Sequence, residues 1–418
     1  MKPSELSSVP VDHGSGRSVG CLRPTGSVRY PLPGDDIVGE LCSLMFASLP
    51  RRDQRARGEQ YVRGLLTTPG RKSVRNIAAQ AGGGAAVQSL HHFVSSSTWD
   101  WRPMRGALAA HLERTTSSAA WVVQALTIPK SGRHSVGVGR RFVPQLGQAL
   151  RGQCALGVWF ASESVSAPVN WRLLLPKEWT RDPDLRRRAE IPEGASAEPI
   201  EESALAAVVQ TLRNPDVTPR PVLLDVPGNW TDSAVLDGFV RRGLPVVARV
   251  MPDTRLLVAD PAMPGYGAGP LPAEQILMSV RGLRRTVEWD NAEHGDRRTS
   301  STLSIRVAAP GPAPADGQRP LHLLGEWEDQ WQPPARVWLT DLAAPACQLL
   351  RLTKLGRRVA HDLVTVGDRV GLRDFEGRSF RGWHRHTTLA SVAHAASLLT
   401  GVTSASGALD RSHPRFTA

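Results

Sequence analysis

Apolar residues recur at helical spacing at Ile37, Leu41, Leu44 and Met45, and again, after a basic stretch, at Tyr61, Leu65 and Leu66. The folded part of the chain therefore opens with helices. Before it, residues 1–34 are rich in Ser, Gly and Pro and predict a flexible leader. Residues 73–80 read as a short helix, 82–84 as a glycine turn and 87–93 as a second helix, the outline of a helix-turn-helix with Gln88, His91 and His92 on its candidate reading helix. The solvated face of an ordinary helical bundle produces the same pattern.

From residue 119 the period changes. Residues 121–126, 135–138 and 152–160 read as strands, 171–176 as a further short one, and the charged stretch 180–202 as a loop entering a helix at 202–213. Residues 221–225 predict a buried strand that delivers Asp225 at its C-terminal edge. Thr231 and Asp232 can cap a helix over 233–242, and 245–250 returns as a strand. Strand, helix and strand in that order imply an α/β core. Residues 252–335 break the rhythm: Pro/Gly-rich pieces separate short strands such as 287–289 and 303–307, as in a β-rich insertion. Helices resume near Leu342 and end in an apolar segment, 389–399. The resulting division is a leader (1–34), a helical region (35–117), the first part of the core (118–251), an insertion (252–337), C-terminal core helices (338–400) and a tail (401–418).

Composition adds the partner class. The 418 residues hold 51 Lys+Arg against 39 Asp+Glu, a net +12, and only five of the cations are lysine. Codon usage can set the Arg/Lys ratio but not the net charge, and such an excess points to a polyanion, most often nucleic acid. The first cluster comprises Arg51, Arg52, Arg55, Arg57, Arg63, Arg71, Lys72 and Arg75, opposed only by Asp53 and Glu59. Arginine suits phosphate because its planar fork donates two parallel hydrogen bonds. No apolar run is long enough to span a membrane, no secretory h-region opens the chain, and the cysteines (Cys21, Cys42, Cys154, Cys347) lack metal-ligand or disulfide-framework spacing, so the expectation is a cytoplasmic protein. No Gly-x-Ser-x-Gly elbow or phosphate loop supports other chemistry.

Several blocks, in order, resemble the DDE transposases of bacterial insertion sequences over roughly residues 35–400. They are Trp121-Val122-Val123 followed by Pro129-Lys130 and His134-Ser135-Val136-Gly137-Val138; Gln145-Leu146-Gly147; Asn170-Trp171-Arg172-Leu173 with Pro176-Lys177-Glu178-Trp179; Val222-Leu223-Leu224-Asp225; and Gly371-Leu372, then Phe375-Glu376-Gly377-Arg378-Ser379 and Trp383-His384-Arg385-His386. The resemblance implies an RNase H-like mixed sheet flanked by helices, an α/β fold with a β-rich insertion and an N-terminal helical DNA-binding region. It also implies three carboxylates holding two Mg²⁺ ions on a scissile phosphate, and a DNA-bridged homodimer. Only the second acid is matched, by Asp225. The first-acid motif falls on Gln124 and Ala125, and the third acid on Ala360, with its companion positions at Thr353, Gly356 and Gly367. Asp362 lies about 200° round a helix from Ala360 and points away.

Three functions follow. The first is a protein that binds double-stranded DNA with its nuclease site lost and no cofactor. Arg51, Arg52, Arg55, Arg71, Lys72, Arg75, Lys130, Arg378 and Arg381 would contact the backbone, and Arg357, Arg358, Arg373 and Arg385 would add to them. The second is an active, Mg²⁺-dependent transposase with relocated carboxylates around Asp225. The third is a non-DNA interaction protein on the same scaffold, favoured if the arginines prove to be paired with acids. His384 and His386 are expected at the surface or on phosphate rather than on a metal.

Overall fold

A computed structural model describes residues 37–400 apart from 81–83, 117, 144–147, 227, 229, 232, 292–295, 312–319 and 330. The leader, the tail, Gly82, Gly83 and the Asp232 cap lie outside the described residues.

The first five elements are helices: α1 (Ile37–Met45), α2 (Arg52–Thr67), α3 (Val74–Ala79), α4 (Gly84–His91) and α5 (Arg102–Thr115). Ser73 starts α3 as an N-cap, its hydroxyl accepting the Asn76 amide at 3.1 Å. Then come β1 (Ala120–Pro129), β2 (Gly139–Val143), β3 (Gln148–Ala161), β4 (Ser166–Leu173), α6 (Lys177–Arg181), α7 (Pro183–Arg188), α8 (Ile200–Thr211), β5 (Val222–Leu224), α9 (Ser233–Val240) and β6 (Val246–Val250). The insertion supplies β7 (Arg255–Val258), β8 (Leu271–Pro272), α10 (Ala273–Ser279), β9 (Arg285–Asp290), β10 (Arg297–Ala308) and β11 (Leu321–Trp327). It is followed by β12 (Arg336–Thr340), α11 (Ala346–Asp362) and α12 (Phe380–Leu399).

Three local readings are corrected. Residues 135–138 form a turn, closed by the Val138 amide on the Ser135 carbonyl, and the strand is β2 instead. Two valines spaced by two residues face the core from a turn as readily as from a strand. The strand placed at 171–176 lies earlier, as β4, because its apolar run begins at Ala167. The stretch 180–202 is not all loop. Asp182 caps α7 by accepting the Asp184 and Leu185 amides, with Pro183 in the first turn, so a charged sequence still forms a helix.

All twelve strands among the described residues join one sheet in the order β2-β3-β1-β5-β6-β12-β11-β10-β7-β8, with β4 sharing an edge of β3 with β2, and β9 sharing an edge of β10 with β7. Within it, β4-β3-β1 run antiparallel and β1-β5-β6 parallel, the RNase H-like arrangement that the motifs imply. The insertion lengthens this sheet rather than standing apart. β12 joins the two, pairing antiparallel with β6 on one edge and with β11 on the other.

Helix α12 is the structural centre. Residues 382–397 are all buried, including His384, Arg385, His386, Thr387, Thr388 and His394. This corrects the surface placement of His384, Arg385 and His386: the segment reads as polar, but these three side chains each meet an internal partner. Arg105 of α5, itself buried, reaches across to donate to Thr388 Oγ1 (2.7 Å), Asn170 Oδ1 (2.9 Å), the Trp171 carbonyl (2.8 Å) and His384 Nδ1 (3.1 Å). Burial pulls its guanidinium down to about 9. Arg385 donates to the Trp99 and Val94 carbonyls and stacks over the Trp99 ring. The Tyr61 hydroxyl donates to His386 Nδ1 (3.0 Å), whose Nε2–H donates to the Gly371 carbonyl (2.9 Å). Gly371 is required there, because its φ is +71° and a side chain would run into Lys72. Through these contacts, α12 locks the N-terminal helices to β4.

Because Arg105 can only donate, His384 must accept, so it is neutral; burial, then Arg105, hold it well below the ordinary imidazole value. Burial likewise lowers His386 and His394 to about 4 each. Folded-state values below the unfolded one mean that the unfolded chain binds more protons between pH 6.5 and 4. Stability is therefore complete above about pH 6.5 and falls as the pH drops through that window, with a slope approaching about 1.4 kcal/mol per pH unit for each ring. Denaturant midpoints measured from pH 7 to 4 should decline accordingly, and His394→Gln should flatten the decline.

Candidate functional site

The sheet register decides which residues meet. β1 and β5 are parallel with Val123 beside Leu224, and the Asp225 amide donates to the Val123 carbonyl. One step on along both strands, Gln124 comes beside Asp225, while Ala125 alternates to the other face. Parallel pairing of Leu224 with Ala248 sets Arg249 of β6 next to Asp225, and antiparallel pairing sets Trp338 opposite Arg249 and Glu326 opposite Arg336. Gln124, Asp225, Arg249, Arg336 and Glu326 thus share one face.

Helix α11 covers that face at close range. A β-carbon on Gly356 would lie 2.5 Å from Asp225 Oδ2, so only glycine allows this approach. Ala360, one turn on, lies on the same side of the helix. Asp362 faces elsewhere: its carboxylate accepts from Ser166 Oγ (2.7 Å) and Arg358 Nε (2.8 Å).

Asp225 is not an open carboxylate. Its side chain is 9% exposed and pairs with Arg249 Nη1 at 3.5 Å. Behind it, Glu326, with no exposed side-chain surface, holds Lys354 and, at 3.4 Å, Arg357, which also pairs with Glu328. The Lys354 ammonium sits 3.9 Å from the centre of the Trp289 ring. Burial draws this amine down to about 8, against the pull of Glu326. Arg336 is lowered by burial and then by Arg357, with Asp225 and Glu326 opposing. Several buried polar atoms here have no partner among the described residues: the acceptors Gln124 Oε1 and Glu326 Oε2, and the donors Arg336 Nη1, Arg357 Nε and Trp338 Nε1.

A second region gathers the N-terminal cations. Arg71, Arg75, Asn76, Gln88 and His91 line a groove of about 860 Å³ between α3, α4 and residues 374–377. Arg71 pairs with Glu376 at 3.1 Å, and Lys130 Nζ donates to the Phe375 carbonyl at 2.6 Å, so Lys130 anchors this groove's rim. Lys72 is the exception: it is 5% exposed, with its ammonium on the Thr68 carbonyl and its amide on Asp374 (2.7 Å), so it serves the fold instead of the surface. On α4 and just after it, Gln88, His91 and His92 are exposed while Leu90 and Phe93 are buried.

The arginines expected on phosphate divide sharply. Arg357, Arg358 and Arg373 are held by carboxylates, Arg385 is inside the protein, and Arg51 pairs with Asp53. Arg52, Arg55, Arg57, Arg75, Arg378 and Arg381 are exposed and make no ion pair among the described residues. Sequence reasoning missed Arg249, Arg336, Lys354 and Glu326. One signal was available: Arg249 interrupts the otherwise apolar strand Val246–Val250.

Residues 44–308, more than half of the chain, match the family described as DDE superfamily endonuclease, and the chain belongs to that family. It is a transposase-like protein, as the motif blocks imply. No curated protein matches it. No helix among the described residues is long and apolar enough to cross a membrane.

Members of this superfamily use divalent metals, and the donor set here does not fit one. Mg²⁺ needs several hard oxygen ligands in near-octahedral geometry. Asp225 is the one carboxylate on its stretch of the row, it is already paired with Arg249, and no group of three His, Cys, Asp or Glu able to hold a metal occurs among the described residues. The Glu326 carboxylate is engaged by two cations in a closed cluster. Removing that counter-charge should be severe: Glu326→Gln should destabilise the protein by about 3–5 kcal/mol, read from the denaturant midpoint, and lower the Lys354 pKa further.

Proposed function

We propose that this protein binds double-stranded DNA on a DDE endonuclease scaffold without cutting it. The observation that carries the reading is Asp225, the position matched to the family's second acid, neutralised by Arg249 and packed against Gly356, with Gln124 beside it where a first carboxylate would stand. The exposed arginines support DNA as the partner: Arg52, Arg55 and Arg57 on α2, Arg75 on α3 beside Gln88 and His91, Arg378 just before α12 and Arg381 in its first turn. Contacts of this kind fix the protein on the backbone, and the α4 residues are those that would reach base edges. No Mg²⁺ is required for holding DNA in this way.

If these six arginines each neutralise a phosphate, log K for a duplex falls with log salt at a slope near −5. Fluorescence anisotropy between about 50 and 200 mM salt measures it, and a double Arg75→Ala, Arg378→Ala variant should reduce the slope by about 2. Absence of duplex binding at the low-salt end removes the reading. The cutting alternative is tested in parallel: with Mg²⁺ or Mn²⁺, wild type and Asp225→Ala should both leave supercoiled DNA intact, and nicking by wild type alone would restore the enzyme.

A further inference from the structure

We infer that the Asp225 face is a phosphate site in which fixed cationic side chains take the electrostatic place of divalent metal ions. The inference rests on the reading that the metal site is lost and says what replaced it.

Charge is the first argument. Arg249, Arg336, Lys354 and Arg357 stand against Asp225, Glu326 and Glu328, leaving one positive charge. Three carboxylates loaded with two divalent ions leave the same single positive charge. The field at the strand edge is thus that of a metal-loaded site, built from side chains. Loss of the acids alone would have left no such match, because each missing carboxylate only removes negative charge. It is the arginines on β6 and β12 and the two cations on α11 that supply the positive side.

Unmade hydrogen bonds are the second argument. Arg336 Nη1 and Arg357 Nε are buried donors with no acceptor among the described residues, although buried polar groups are nearly always paired. Both belong to guanidinium groups, whose forked donors match the oxygens of phosphate. A tetrahedral oxyanion supplies acceptors to both guanidinium donors, and a metal ion supplies none.

Access is the third. The Arg249 side chain keeps 34% of its surface exposed and that of Arg357 18%, so solvent meets the outer side of this face at Arg249, with the unpaired Arg336 Nη1 and Arg357 Nε buried behind it. Asp225 acts there as an internal competitor for Arg249. The ligand class is a phosphate oxyanion, either in a DNA backbone or free.

The test uses the full chain in EDTA, with two probes: inorganic pyrophosphate by calorimetry and a duplex oligonucleotide by anisotropy. Wild type should bind pyrophosphate without metal. Arg249→Gln should weaken it at least tenfold, Arg249→Lys should retain most of the affinity, and Asp225→Asn should strengthen it severalfold by freeing Arg249. The last sign is diagnostic, since a metal site or a purely structural ion pair would lose affinity or show no change. With duplex, Arg249→Gln should lower the salt slope by about one if a backbone phosphate occupies the site. An unchanged slope with the pyrophosphate pattern intact assigns the site to free phosphate. Equal pyrophosphate binding by wild type and Asp225→Asn, or tighter binding on adding Mg²⁺, overturns the proposal. Should Arg249→Gln fail to fold, Arg249→Lys and Asp225→Asn decide by themselves. Duplex binding with no pyrophosphate binding sinks this inference and leaves the DNA reading standing. Pyrophosphate binding without duplex binding does the reverse.

Discussion

Everything else in this structure depends on burying a polar helix. Most of α12 lies inside the protein, yet its buried stretch carries three histidines, Arg385, threonines and serines. Such a helix is tolerated only if most of its donors and acceptors are met, because an unmet buried polar group forfeits the hydrogen bond it made to water; Trp383 Nε1 and His394 Nδ1 are the ones on it without a partner among the described residues. Arg105 from α5, Tyr61 from α2, the carbonyls of Val94 and Trp99, and Asn170 on β4 take part in that pairing. Neither buried guanidinium has a carboxylate. Both are satisfied by neutral acceptors, which places the N-terminal helices with hydrogen-bond accuracy on the sheet. The candidate DNA groove inherits its position from this arrangement, since Lys130 and residues 374–377 tie α3 and α4 to the end of β1.

The strand-edge site follows from a second constraint, the register of parallel strands. Because β1, β5 and β6 lie side by side in fixed register, whatever occupies the step after Val123, Leu224 and Ala248 must share a face. Here those residues are glutamine, aspartate and arginine. An ion pair between neighbours, Asp225 and Arg249, forms at this strand edge. Gly356 lets α11 close over the pair, and the buried Glu326 cluster next to it uses the cations of the same helix.

Much of this was legible in the chain. The helical spacing from Ile37 to Leu66, the run Val222-Leu223-Leu224-Asp225 and the ordered motif blocks anticipated the helical region, the central parallel strand with its terminal acid, and the RNase H-like class. Short elements were misread where apolar spacing is shared by turns and strands, as around Val136 and Val138, or where a cap outweighs composition, as at Asp182. The polar motif Trp383-His384-Arg385-His386 was misread for a different reason: polarity indicates that a group needs partners, not whether those partners are water or protein.

The chain by itself determined which residue types occupy the strand ends and the α11 turns, because local pattern places them: Gln124, Asp225 and Arg249 at the strand ends, Gly356 and Ala360 on the helix, and a large arginine excess. Which arginines remain available was decided only by the tertiary structure. Arg105, Arg385, Lys354 and Arg357 are turned inward, Arg249 is set against Asp225, and Arg52, Arg75, Arg378 and Arg381 are left facing solvent. The reason is physical. A charge has no role until its distance to other charges and to water is set, and those distances join residues 279 positions apart, as Arg105 and His384 do.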